Sequence, residues 1–341
     1  GIRGERAICA ILDLPQIATA NRLIIFIVMS ALLLEGGGTV LLTYAYAMHG
    51  SGFFEALWRG TFHSISAFCN AGFALQRDSV SMFQNQPWVL LVLAALITLG
   101  GLGFAVLGSA WFRLTGGRIR SLAVQVRMVL LASAVLVLAG TAGYAAAEWR
   151  HTLDGLRPMD KAVNALFQSV TLRTAGFNSI DFANLQPVSL LGMLVFMFVG
   201  ASPGSTGGGI KTTTALVLLG AVAAIARGDT KVTIFRHTMP LETVYRSAAI
   251  AVITILVILT GCGALLSSHD SSFPEIVFEV FSAIGTVGLS LGATAKLNFI
   301  GKLIITAIML LGRIGPLTLA LLLGRERRSR IGYPEAGIMI G

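Results

Sequence analysis

Charge is what this chain has least of. Only 12% of its 341 residues are Asp, Glu, Lys or Arg, about half the share found in soluble domains. Hydrophobic residues make up 55% and the mean hydropathy is +0.80, which excludes a water-soluble globule. Acids are scarcer than bases, 16 against 25, and a net charge of +9 would suit nucleic acid if the bases formed one patch. They do not. Arg3, Arg6 and Arg22, then Arg113, Arg118, Arg120 and Arg127, then Arg227, Lys231, Arg236 and Arg246, then Arg325, Arg327, Arg328 and Arg330 gather between long apolar runs. That is the positive-inside pattern of a multi-pass membrane protein, with these clusters cytoplasmic. The loops between them hold Glu148, Asp154, Asp160, Asp181, Asp270 and Glu275 and are expected outside.

Cysteine is equally sparse. Cys9, Cys69 and Cys262 have no paired or metal-ligand spacing, so neither a disulfide nor a metal centre is implied. The histidines, His49, His63, His151, His237 and His269, fall on separate stretches, and nothing supports a membrane-embedded enzyme. No cleavable signal peptide is visible, and a chain opening at Gly1 leads us to expect that the natural N-terminus lies further upstream.

What the chain does have is an internal repeat. Cys69-Asn70-Ala71-Gly72-Phe73, Arg173-Thr174-Ala175-Gly176-Phe177 and Gly285-Thr286-Val287-Gly288-Leu289 each follow a short aromatic-rich run and precede a long apolar one. Gly72, Gly176 and Gly288 stand 104 and 112 residues apart, too far for a soluble solenoid but right for two membrane helices with a half-helix between them. The spacing predicts an all-α integral membrane protein. Residues 1–20 are a cytoplasmic interfacial segment. Three units follow, 21–115, 116–230 and 231–330, each reading span, half-span, turn, span, and 331–341 form a tail. The half-spans are placed at Phe54–Phe68, Met159–Leu172 and Pro274–Ile284, and Trp88–Trp111 is read as one continuous return span. A turn of this composition at the end of a re-entrant helix can aim backbone carbonyls into a pore, because glycine permits the dihedrals required. The carbonyls of Asn70–Gly72, Thr174–Gly176 and Thr286–Gly288 are therefore candidate ligands of a dehydrated cation.

Three other features bear on function. Glu35, beside Gly36-Gly37-Gly38 within the first span, is costly in lipid and must face protein or water; either packing or transport explains it. The stretch Gly200-Ala201-Ser202-Pro203-Gly204-Ser205-Thr206-Gly207-Gly208-Gly209 interrupts an apolar span. It is not a phosphate-binding loop, since Ile210 separates Gly209 from Lys211 and no buried strand precedes it; the remaining readings are a simple helix break or a flexible intramembrane loop. Arg313 lies within the last span, either bridging carbonyls of a broken helix or lining a cavity. Asn70 and Arg173 are read as structural, Arg173 as a tie for the turn backbone.

These motifs, with Phe62-His63-Ser64-Ile65-Ser66-Ala67-Phe68 and Gln168-Ser169-Val170-Thr171-Leu172 leading into two of the turns, resemble the ion-translocating subunits of the Trk/Ktr/HKT superfamily of potassium transporters, and most closely the bacterial Ktr type. The resemblance covers the whole chain. It implies pseudo-fourfold symmetry with the second, third and fourth of four units present here, so that on the order of 100 further residues carrying the first unit are expected upstream. It implies K+ bound by carbonyls of Asn70, Ala71, Gly72, Thr174, Ala175, Gly176, Thr286, Val287 and Gly288. It also implies a gate formed by Gly200–Gly209 with Lys211 and Arg313. From the resemblance come, further, a homodimer contacted through Ile340 and Gly341, a cytosolic nucleotide-binding regulatory ring taking ATP or ADP, a bacterial cytoplasmic-membrane location with lipid around it, and sodium as a second ion that stimulates uptake. The rival class is a secondary transporter with Gly-broken helices for another small cation or solute; its repeats would invert, whereas these keep one orientation.

Overall fold

The computed structural model describes residues 17–114 and 123–315. Most of the basic N-terminal segment, the end of the last span toward Leu323, and the tail with Ile340 and Gly341 lie outside the described residues.

Among the described residues, three helices are long and apolar enough to cross a membrane, over Ile24–Met48, Val124–Glu148 and Leu241–Leu266. They belong to α1 (Ile17–Met48), α5 (Ala123–Glu148) and α9 (Leu241–Leu266). Each is followed by a short helix: α2 (Phe53–Phe68), α6 (Pro158–Thr171) and α10 (Phe273–Ile284). With 16, 14 and 12 residues at 1.5 Å per residue, none reaches across a hydrocarbon core of about 30 Å. Proline sets the start of α6 and α10 at the first turn, where its missing N–H costs nothing. The return helices are α3 (Pro87–Leu102), then α7 (Pro187–Phe198) with α8 (Thr212–Ala226), then α12 (Phe299–Ile314), with short α11 (Ala293–Lys296) before it. A two-stranded hairpin, β1 (Thr233–Ile234) and β2 (His237–Thr238), joins α8 to α9.

The return span expected over Trp88–Trp111 is not continuous. It stops at Leu102, and α4 (Phe104–Leu114) leaves at 97° to it. Gly103 makes the corner at φ +88°. The Phe104 N–H, instead of continuing the helix ladder, donates to the Gly204 carbonyl at 3.1 Å. The break therefore exists to meet the Gly-rich loop of the next unit.

Lipid tails are as apolar as leucine, so apolar burial alone does not draw these helices together; close approach and hydrogen bonds must do it. Gly38 of α1 sits where any Cβ would run into the Ser64 hydroxyl and Leu96, and Gly140 of α5 likewise meets Ser169 of α6. Ser64 Oγ donates to the Glu35 carbonyl at 2.7 Å and Ser169 Oγ to the Val137 carbonyl at 2.9 Å. The Glu35 carboxylate itself accepts from the Cys69 thiol at 3.7 Å, which favours packing over transport for this residue.

The end of α5 and the start of α7 are tied by polar side chains. Glu148, with none of its surface exposed, accepts from His151 Nδ1, Thr152 Oγ1 and the Gln186 backbone N–H at 3.1, 2.9 and 2.9 Å, and from the Ser189 hydroxyl. It thereby fixes the start of α7 to the end of α5, its charge at a helix N-terminus. At the surface, the Lys161 ammonium donates to Asp154 and holds its carboxyl below the usual range, and Lys296 does the same for Glu275. Depressed carboxyls favour the folded state above the ordinary carboxylate range and lose that contribution as pH falls through it; Asp154 is exposed and Glu275 partly so, so the effect is small.

Replacing Glu148 with Ala strands several buried donors and should lower stability by about 3 kcal/mol, read as a fall in unfolding temperature in detergent. A change within about 0.5 kcal/mol, typical of surface sites, would show that the carboxylate does not hold the two helices.

Candidate functional site

Each short helix ends in the same backbone figure. Asn70, Thr174 and Thr286 have φ of 50, 74 and 52°, and Gly72, Gly176 and Gly288 have 71, 79 and 90°. The residues between them, Ala71, Ala175 and Val287, do not share the positive φ. Alternating hands swing successive carbonyls to one side of the chain. The left-handed region costs a non-glycine residue about 1–2 kcal/mol, so three such residues need support. It comes from the helix ends. The Ala71 N–H donates to the Ser66 carbonyl at 2.9 Å, Ala175 to Thr171 at 3.0 Å and Val287 to Ser282 at 2.8 Å. Hydroxyls buckle the far side, Ser66 Oγ to the Phe73 carbonyl at 2.8 Å and Thr171 Oγ1 to the Phe177 carbonyl at 2.7 Å, while the Gly288 N–H donates to Ser282 Oγ at 3.1 Å.

The three turns converge. A Cβ on Gly72 would overlap the Ala175 carbonyl and one on Gly176 the Val287 carbonyl, while one on Gly288 would stand 3.9 Å from the Gly176 Cα. All three glycines open on one cavity of about 690 Å³, lined also by Gln76, Asp78, Ser79, Asn178, Asp181 and Ser290. Among the described residues, no hydrogen bond is accepted by the carbonyl of Asn70, Ala71, Gly72, Thr174, Ala175, Gly176, Thr286, Val287 or Gly288. An unpaired backbone group at this depth is expensive, so the donor-free carbonyls mark a place built for something electropositive.

Beneath the turns lies the loop between α7 and α8. Its backbone is stitched to α3 and α12 by Ser202 N–H to the Gly101 carbonyl at 3.1 Å and by Thr206 N–H to the Gly100 carbonyl and Gly209 N–H to the Gly312 carbonyl, both at 3.3 Å, and its ends close on each other through Gly200 N–H to the Ile210 carbonyl at 2.8 Å. Gly207 and Gly208 press against the side chains of Thr174 and Thr286, leaving no room for a Cβ. Thr206 Oγ1 accepts from Asn70 Nδ2 at 2.8 Å and donates to the Phe68 carbonyl at 3.1 Å. Two cations hold the loop's carbonyls: Lys211 Nζ donates to Gly207 at 2.8 Å, and Arg313 Nη1 to Thr206. Ala201 is fully buried, Gly204 forms the corner with Gly103, and Ser205 Oγ donates to the Ser202 carbonyl at 2.6 Å.

The structure thus brings the loop residues, Lys211 and Arg313 to the base of the turns. It does not tie the Arg173 side chain to the turn backbone: its guanidinium is buried and donates to Ser133 Oγ of α5 at 3.0 Å. Asn70 proves to link turn to loop. The Gly100-Gly101-Leu102-Gly103 run, which in the sequence reads as a site of close helix approach, receives this loop together with Gly312. Among the described residues no cluster of three His, Cys, Asp or Glu side chains could hold a metal.

Re-entrant helices delivering strained, carbonyl-bearing turns to a common axis define a membrane protein of the ion-translocating kind. The match to a family model for TrkH, cation transport protein, covers residues 12–327, and the chain belongs to that family. It is a membrane transport protein, not an enzyme. It is 40% identical over 324 residues to the Ktr system potassium uptake protein B of Vibrio alginolyticus, covering 94% of this chain and 70% of that one. With the protein of the same name from Bacillus subtilis the figure is 37% over 292 residues, 85% of this chain and 65% of the relative. The potassium/sodium uptake protein NtpJ of Enterococcus hirae is 33% identical over 339 residues, 97% of this chain and 74% of its own length. The chain thus spans about two thirds to three quarters of these relatives. In structure it resembles the potassium transporter TrkH of Vibrio parahaemolyticus, with a TM-score of 0.71 at 21% identity over 91% of this chain and 65% of that one.

Seating of the loop is testable through Cys69, which is half-buried beside Asn70. With Cys9 and Cys262 changed to Ser, Gly207→Val should lift the loop off Thr174 and raise the rate at which a membrane-permeant thiol reagent modifies Cys69 severalfold. An unchanged rate would show that the loop does not cover the turns.

Proposed function

We propose that this chain forms most of the wall of a potassium pathway in the bacterial cytoplasmic membrane. The observation that carries the reading is the set of nine carbonyls on three converging turns that have no donor among the described residues. Potassium is a cation that such oxygens can take out of water, replacing its hydration shell from several sides. The ligands are the carbonyls of Asn70–Gly72, Thr174–Gly176 and Thr286–Gly288, and a further turn, carried by residues outside this chain, completes the ring. The ends of α2, α6 and α10, with their partial negative charge, favour a cation just beyond them. The names of the relatives, potassium uptake proteins, support potassium as cargo; the Enterococcus relative, named for potassium and sodium, supports sodium as the second ion.

The loop Gly200–Gly209 is the gate, held closed by Lys211 and Arg313. A fixed guanidinium below the turns raises the barrier to a cation by about 1–2 kcal/mol at a separation of about 10 Å and an effective dielectric of about 20. The complete protein works as a homodimer, Ile340 and Gly341 lying in its contact, under a cytosolic ring that binds ATP or ADP; the words "Ktr system" in the relatives' names support a second component.

The test is radioactive rubidium uptake in a potassium-uptake-deficient bacterium expressing the complete gene. Uptake restored by the wild type and abolished in Gly176→Val, where the side chain meets the Val287 carbonyl, is the expected result; uptake unaffected by that change would remove the turns from the pathway. In liposomes, Arg313→Ala should raise flux about tenfold, the equivalent of about 1.4 kcal/mol of barrier, and unchanged flux would end its role in the gate. Gly288→Ser should relax the preference for potassium over sodium, and full retention of that preference would count against the carbonyl assignment.

A further inference from the structure

The segment between α8 and α9 is more than a connector. Its strands pair Thr233 with Thr238 and Ile234 with His237, and the Met239 N–H closes the base on the Val232 carbonyl at 2.8 Å. The hairpin folds back along α8 instead of projecting from it: carbons of Val232 and Ile234 stand 3.2–3.4 Å from where a Cβ on Gly220 would be. Gly220 lies six residues before the end of α8 at Ala226, about 9 Å along the axis. Over that same stretch Leu219, Val222 and Ile225 are 66, 65 and 78% exposed, a face suited to hydrocarbon. The basic residues around it put this end on the cytoplasmic side, so the hairpin rests at the depth of the inner-leaflet head groups.

Its tip is unusual. Phe235 and Arg236 have φ of 50 and 63°, the two left-handed positions of a tight hairpin turn that favours Asn-Gly. A ring and a guanidinium occupy positions the backbone would give to small residues, so what the tip presents outweighs how easily it bends. The charges nearby divide in two. Arg227 pairs with Asp229 at 3.1 Å and Arg246 with Glu242 at 2.5 Å. Lys231 and Arg236 are exposed and have no carboxylate partner among the described residues.

We propose that this hairpin is a docking site for anionic phospholipid: Lys231 and Arg236 take the head-group phosphates, and Phe235 lies at the acyl boundary. An aromatic ring flanked by unpaired cations at a bilayer edge has the chemistry for it. The fold-back against α8 favours lipid over a cytosolic protein, which would be met more readily by a hairpin standing clear of the membrane.

The test uses the complete protein with Cys9, Cys69 and Cys262 changed to Ser and an environment-sensitive probe on Thr238→Cys, an exposed strand position that leaves the tip intact. It is reconstituted in phosphatidylcholine vesicles carrying a minority of either brominated phosphatidylglycerol or brominated phosphatidylcholine. The anionic lipid should quench the probe about twofold more than the neutral one, with little quenching by aqueous iodide, and the difference should vanish in Lys231→Gln/Arg236→Gln. Equal quenching by both lipids, or a difference that survives the double change, overturns the proposal. Protection from iodide that appears only when a cytosolic partner subunit is added overturns it in favour of protein docking. Monodisperse elution of each variant in detergent separates these outcomes from misfolding.

Discussion

A backbone carbonyl at hydrocarbon depth must meet a donor or something that replaces one, and the rest of this structure follows from the places where that requirement is left open. Along α1, α5 and α9 the helix ladder meets it. At Asn70–Gly72, Thr174–Gly176 and Thr286–Gly288 the chain alternates handedness and leaves the carbonyls without donors among the described residues. Everything adjacent serves to hold that unfavourable arrangement in place. The helix ends and their hydroxyls, Ser66, Thr171 and Ser282, fix the turns from one side. The Gly-rich loop presses from below, with its own broken backbone satisfied by Gly100, Gly101 and Gly312.

The complementary need, acceptors for freed N–H groups, shapes the breaks in the return helices. The N–H groups freed at Ser202, Thr206 and Gly209 need acceptors in a dry environment, and carbonyls of α3 and α12 provide them. Gly103 can turn α4 away by 97° because the Gly204 carbonyl takes up the Phe104 N–H that the broken helix releases. Loop and break are thus one construction shared by two units. Stability comes from small-residue contacts such as Gly140 on Ser169 and from an outer polar layer centred on Glu148, since apolar burial counts for little against lipid.

Much of this could be read in the sequence. The short helices were legible to within a residue or two because an aromatic-rich run too short to span, ended by glycine, has few other uses in a membrane protein. The interruption at 200–209 was legible because Pro203 joins its glycines and removes a ladder hydrogen bond; glycines alone, as at Gly36-Gly37-Gly38 of α1, stay helical. The corner at Gly103 was not: Gly100-Gly101-Leu102-Gly103 sits in an unbroken apolar stretch, and only the approach of a loop about 100 residues later in the chain, Gly204 against Gly103, decides that it bends. Arg173 was misread for a similar reason. Adjacency to Thr174 points to the turn backbone, whereas Arg173, just past the end of α6, sends its guanidinium to Ser133 of α5. The hairpin at 233–238 carries Phe-Arg where the turn favours Asn-Gly, so local turn chemistry gave no signal for it.

The claim on which the account rests is that the donor-free carbonyls are ligands of a monovalent cation. Anomalous X-ray scattering from crystals of the complete protein grown in rubidium tests it directly. The account predicts a peak on the axis between Gly72, Gly176 and Gly288, within coordination distance of carbonyls from all three turns. Rubidium density confined to the mouth beside Asp78 and Asp181, with the space between the turns filled only by water, would contradict it.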